Sequence, residues 1–206
     1  MKCFTTIVAV CVCTALSSLA STELFERIKD MSPQSQLEYL RDAERSGATA
    51  PIYFYMGNAH YALSQFDSAV TYYYKATEID TTYSKAFVNM GLAYDSMHQL
   101  SAARSAFQMA IDANPNDVLA YCHLGYNLAS RGEMNEAIGH YLKALEIDPN
   151  SAQAHYNLGL AFADSKVFNE ALAEWNKVIE LDPDGELGRI ARENVELIKT
   201  YLELDR

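Results

Sequence analysis

The chain has 206 residues, of which 50% are hydrophobic and 21% charged, with 9 Gly and 5 Pro. That composition excludes collagen, a low-complexity linker and a disordered polyelectrolyte, because enough apolar surface is present to offset the entropy of ordering the chain. The formal net charge of −11 argues against sequence-independent binding to nucleic acid or to an anionic membrane, and the length fits one domain or two small ones.

The first segment, residues 1–20, reads as separate from the fold. Met1-Lys2 is a short basic start, Cys3 to Leu16 is uncharged and mostly apolar, and small residues follow at Ser18 and Ala20. Together these features predict an export signal cleaved after Ala20, so that the mature chain begins at Ser21 and is periplasmic or secreted. A membrane-spanning helix needs about 20 apolar residues, and this run breaks into serines before that length, so no span is expected in the mature chain. An uncleaved anchor is one alternative. Lipid attachment at Cys11 or Cys13 is another; it resembles a bacterial lipoprotein signal, although Val precedes each cysteine where that pattern has a small residue. Cleavage removes Lys2 and three of the four cysteines, leaving Cys122 inside an apolar helical pattern, where a buried and inert thiol is expected.

Residues 21–49 are expected to form a pair of helices. Thr22 to Asp30 gives a short one. Ser32-Pro33 then opens a second, with Ser as cap and Pro in the first turn, and Gly47 stops it after Leu37, Tyr39, Leu40 and Ala43.

From Ala50 onward a period of 34 organises the chain. Gly57, Gly91, Gly125 and Gly159 are each 34 residues apart, and Met56, Met90, Leu124 and Leu158 precede them. Twelve residues after each Gly stand Ala69, Ala103, Ala137 and Ala171; sixteen after stand Tyr73, Phe107, Tyr141 and Trp175; twenty-four after stand Thr81, Pro115, Pro149 and Pro183. Within one copy, Tyr121, Leu124, Tyr126, Leu128 and Ala129 put most of their side chains on one helical stripe, and Ala137, Tyr141, Ala144 and Leu145 form a second. Ser130-Arg131-Gly132-Glu133 is the polar turn between them, and Pro149 ends the second helix. Each copy is therefore a helical hairpin: 50–83, 84–117, 118–151 and 152–185. The small Gly and Ala positions let two helices cross closely, and the aromatic sixteen residues on is expected to fill the gap against the next hairpin. A single hairpin leaves an apolar face uncovered, so copies must stack, giving an all-α solenoid with one concave surface. Tyr39 stands 34 residues before Tyr73, which puts the Ser32 helix in register with a degenerate capping repeat over 21–49.

These positions resemble the tetratricopeptide repeat family, whose signature has a large residue, Leu-Gly, a Tyr-like residue, Ala, an aromatic, Ala and Pro at the same offsets. The resemblance covers residues 50–185 and implies a right-handed superhelix that acts as a non-enzymatic scaffold for a protein or peptide partner. The chain departs from it mildly, with His60 and Leu128 at the Tyr-like place, Thr81 for Pro and His155 for an aromatic. Past the fourth copy, Leu187, Ile190, Ala191, Val195, Ile198 and Leu202 fall on one stripe with charges elsewhere. Residues 186–206 thus read as a C-terminal capping helix with a charged outer side.

A search for catalytic constellations is negative. His60, His98, His123, His140 and His155 show no metal-ligand spacing, Cys122-His123 lacks further ligands, and no Gly-rich phosphate loop occurs. No metal or cofactor is expected, and no enzyme. The carboxylates of Asp80, Asp112, Asp148 and Asp182 are assigned to inter-repeat turns. Tyr72-Tyr73-Tyr74 lacks the Lys and Arg clusters of a nucleic-acid platform.

The remaining candidate surface is the concave one. The family resemblance implies that the first helix of each hairpin lines it, which nominates Phe54, Tyr55, Asn58, Tyr61, Lys85, Val88, Asn89, Leu92, His123, Tyr126, Gln153, Tyr156, Asn157 and Leu160, with Asp95, Cys122, Ala129 and Ala163 beside them. This lining of aromatic, aliphatic and amide groups suits an extended or helical peptide. In the subgroup that grips carboxylate tails, paired amides stand beside cations; Asn58 and Asn89 match the amides, but Phe54, Leu119 and His123 occupy the cation places. The expected function is an exported interaction scaffold. The alternatives are a self-associating structural element, hence a homo-oligomer, or an envelope lipoprotein assisting assembly of cell-envelope machinery.

Overall fold

The structure, a computed structural model, describes residues 21–204, so the expected export signal and its cleavage point lie outside the described residues. Within them every regular element is an α-helix, and none is long and apolar enough to cross a membrane. The chain divides into two compact units, one ending at Ala93 and the other starting at Tyr94.

The first unit contains α1 (residues 21–28), α2 (Pro33–Ser46), α3 (Ala50–Ala62), α4 (Phe66–Ile79) and most of α5 (Ser84–Ser96). Helix α2 starts where Ser32 Oγ accepts the Ser35 N–H at 3.2 Å with Pro33 in the first turn, and it ends where the Gly47 N–H bonds back to Ala43 and Glu44. Gln36 Nε2 donates to the Ile28 and Met31 carbonyls and so ties α2 to the end of α1. The core of this unit joins Ile28, Leu37, Leu40, Ile52, Met56 and Ala59. Burying each of the larger side chains contributes about 1.5–3 kcal/mol.

The second unit contains the end of α5, then α6 (Leu100–Ala113), α7 (Val118–Ser130), α8 (Met134–Ile147), α9 (Ala152–Asp164), α10 (Phe168–Leu181) and α11 (Glu186–Leu204). Its C-terminal core packs Trp175 and Val178 of α10 against Ala191 and Val195 of α11. The outer side of α11 carries charges, as expected, but also Leu197 at 68% exposure together with exposed Tyr201 and Leu204. Gly188 sits at the start of that helix because a Cβ there would strike the Asp182 carbonyl, and its N–H bonds to Asp182 Oδ2 at 3.3 Å.

One expectation needs correction in part. The aromatic sixteen residues after Gly57, Gly125 and Gly159 lies on the glycine of its own hairpin, whereas Phe107 stacks on His123 of the next hairpin and Trp175 also packs against α11, as expected. A Cβ on Gly57 would collide with the Tyr73 ring, and on Gly125 or Gly159 it would come within 2.5 Å of Tyr141 or Trp175. The ring occupies the space that the missing side chain leaves, and this is what draws the two helices of the hairpin together. A second correction concerns Asp112, which lies inside α6 rather than in a turn; Asn114 takes the turn place. There Asp80, Asn114 and Asp148 each accept a backbone N–H two residues on, at 2.9, 3.1 and 3.0 Å. Such side-chain turns reverse the chain without a glycine.

The tight turns within hairpins share another repeated device. Ser64, His98, Gly132 and Lys166, again spaced by 34, all have φ between 58° and 80°. The next N–H bonds five residues back in each case, Gln65 to His60, Gln99 to Tyr94, Glu133 to Leu128 and Val167 to Phe162, at 2.8–3.0 Å. This is the left-handed helix stop that closes orphan carbonyls, and glycine fills it in one turn of four.

Candidate functional site

The nominated residues separate into those facing solvent and those turned inward. Phe54 is only 8% exposed and packs edge-on against Tyr83, centroids 5.2 Å apart. Val88 is also buried, and Cys122 lies within the core, where burial pushes its thiol up to about 12. His123 stacks on Phe107 at 5.5 Å, and burial lowers its pKa. Phe54, Val88 and Cys122 are packing sites rather than lining, because these first helices turn part of their apolar stripe inward, while His123 is half-buried.

In the first unit, Tyr55 is half-buried, stacked on Phe25 at 6.1 Å, with its hydroxyl directed to the Ser21 carbonyl at 3.5 Å. Asn58 and Asn89 meet: the Tyr73 hydroxyl donates to Asn58 Oδ1 at 2.9 Å and Asn89 Nδ2 donates to the same oxygen at 2.8 Å. Burial holds the Tyr73 phenol above its ordinary pKa. These three residues, with Tyr61 and Leu92, line a hollow of about 180 Å³. Lys85 is exposed at the edge of a larger depression of about 530 Å³, lined also by Ser21, Pro51, Asp80 and Tyr83.

In the second unit, Tyr126 stands out at 60% exposure. With Leu160 and Asn157 it lines a hollow of about 190 Å³ that also takes in Ala129, Ser130, Met134, Tyr141, Ala161 and Asp164. Gln153 Nε2 donates to Asn157 Oδ1 at 2.9 Å, and the Tyr156 carbonyl accepts the Trp175 indole N–H at 3.3 Å. Sequence reasoning missed Tyr73 and Tyr141, which floor the two hollows. The signal was present: both carry a hydroxyl where Phe107 in the equivalent place has none.

The electrostatics also divide by unit. Residues 94–206 hold 18 Asp and Glu against 9 Lys and Arg, a formal −9, whereas residues 1–93 hold 9 against 7, a formal −2. No group of three or more His, Cys, Asp or Glu is placed to hold a metal among the described residues.

Helical hairpins of equal length, closed by the same turns and presenting the exposed Tyr126 with part-buried tyrosines and amides from their first helices, define a helical-repeat protein of the solenoid class. The chain belongs to the tetratricopeptide repeat family: matches to that repeat cover residues 50–83, 84–117 and 152–184, and a further TPR repeat match covers 125–166. No curated protein matches it. Among solved structures it is similar to YrrB, a TPR protein with an unusual peptide-binding site, at 25% identity over 84% of this chain and 98% of that one, TM-score 0.60. MamA from Desulfovibrio magneticus RS-1 is 24% identical over 84% of this chain and 96% of that one, TM-score 0.65. The first TPR of Spaghetti (RPAP3), bound to the HSP90 peptide SRMEEVD, is 23% identical over 57% of this chain and 94% of that one, TM-score 0.54.

Proposed function

We propose that the chain is a non-enzymatic scaffold that holds a peptide or partner protein against the faces of its first helices, and that it works outside the cytoplasm after loss of residues 1–20. The observation that carries the scaffold reading is the exposed Tyr126 beside a hollow walled by apolar groups and floored by a phenol and an amide. Large amphipathic rings give contact area at low ordering cost. The likeness to YrrB, whose structure has a peptide-binding site, supports the same reading. The export reading rests on the order of basic start, apolar run and small residues in the sequence.

The test is affinity capture with the chain and with a Tyr61→Ala, Tyr126→Ala, Tyr156→Ala variant, from the compartment in which the protein accumulates. Partners retained by the parent chain and lost by the variant are expected; unchanged recovery of every partner removes these faces from consideration. Mass measurement of the mature N-terminus checks export separately, with an unmodified Ser21 expected.

Self-association is a second reading, favoured by the exposed Leu197, Tyr201 and Leu204 along α11. Light scattering across a concentration series separates it from the first, since a strict monomer excludes it.

A further inference from the structure

The two hollows look alike in position but differ in one hydrogen bond. In the first unit the Tyr73 hydroxyl has its acceptor, Asn58 Oδ1. The corresponding place in the second unit, 68 residues on, is Tyr126, which offers a ring in place of that amide. The Tyr141 side chain is 2% exposed and its ring is pinned against Gly125, yet its hydroxyl meets no acceptor among the described residues and opens into the hollow. Burial raises its pKa, so it stays a neutral donor. Beside it, Asn157 Oδ1 is already engaged by Gln153, which leaves the Asn157 amide N–H groups as donors at the same floor. A ligand carbonyl entering the hollow can take the place of water on both donors.

Three further features narrow the ligand. The hollow, about 190 Å³, is below the roughly 300–1,000 Å³ of a cofactor site, and so suits one side chain. Its walls are Ala129, Met134, Leu160, Ala161 and the Tyr126 ring, which favour an aliphatic group. Asp164 stands exposed among the lining residues and the surrounding unit is formally −9, which disfavours a carboxylate and favours cations on either side. Building on the scaffold reading, we infer that this hollow is the anchor subsite for a basic peptide segment. One aliphatic side chain enters it, the adjoining backbone carbonyl accepts from Tyr141 and Asn157, and flanking Lys or Arg residues face Asp164.

The experiment is selection of random displayed peptides on the full chain, followed by fluorescence-anisotropy titration of the selected peptides, synthesised with a dye. An aliphatic residue flanked by Lys or Arg is expected in the selected sequences, with affinity that falls as salt rises. Tyr141→Phe weakens binding about five- to tenfold, as loss of one hydrogen bond predicts, without lowering the thermal midpoint, because the hydroxyl it removes bonds nothing within the fold. Ala129→Phe, which fills the hollow, abolishes binding, and Tyr55→Ala in the first unit changes it less than twofold. Acidic selected sequences, or binding indifferent to Tyr141→Phe and Ala129→Phe, overturn the inference. If the selected peptides depend on Tyr55 instead, the scaffold reading stands and this subsite falls. If no selected peptide depends on any first-helix residue, both fall.

Discussion

Ser64, His98 and Lys166 hold a left-handed backbone that costs a residue with a Cβ about 1–2 kcal/mol, whereas Gly132 holds the same conformation freely. Replacing each of the three by glycine is expected to raise stability by about 0.5–1 kcal/mol, after the added freedom of the unfolded chain is set against the relieved strain. Urea midpoints measure it, and Gly132→Ala should shift the midpoint the other way. Asp95 is a second residue-scale case. Burial raises its pKa, and the Asn127 Nδ2 bond at 3.0 Å only partly offsets this. A carboxyl with a raised folded pKa favours the protonated folded form, so its ionisation weakens the fold as pH rises from near 4. Asp95→Asn keeps an oxygen for Asn127 and should be equal to the parent at pH 3.5 but more stable at pH 7. Equal midpoints at both pH values would remove this account.

At the scale of the hairpin, the glycine and the aromatic sixteen residues later act as one unit. Gly125→Ala forces a methyl into the Tyr141 ring, and overpacking of this kind costs about 1–3 kcal/mol. The loss should shrink when Tyr141→Leu is added, because a smaller side chain yields space; a double-mutant cycle on chemical denaturation reads the coupling. The 34-residue spacing announced both partners of this contact, since Gly and ring recur in register, and the helices of each hairpin fall where the periodic stripes lie. It could not say which hairpin the ring touches, because periodicity fixes a residue's place along the chain and leaves its rotamer free. The same gap explains the nominated lining. Phe54, Val88 and His123 occupy first-helix positions of the family, yet their large apolar or aromatic groups are drawn into neighbouring contacts with Tyr83, the core and Phe107. Tyr126 and Leu160 reach the hollow as the family resemblance implies, whereas the unpartnered hydroxyl of Tyr141 depends on what stands 15 residues earlier, a comparison that only the folded pair makes visible.

For the whole molecule, charge is the property that the fold distributes unevenly, with most of the acidic excess in residues 94–206. Opposite responses to ionic strength follow for the two readings of what the chain meets. A cationic segment is drawn in by a field that added electrolyte damps within about 10 Å at 0.1 M, so its capture slows and loosens as sodium chloride is raised. Two copies brought together through Leu197 and Tyr201 of α11 must instead overcome mutual repulsion between acidic halves, and the same electrolyte relieves it. A single salt series, followed at once by particle mass and by peptide retention, therefore sorts a receptor from a polymerising unit by the sign of its slope.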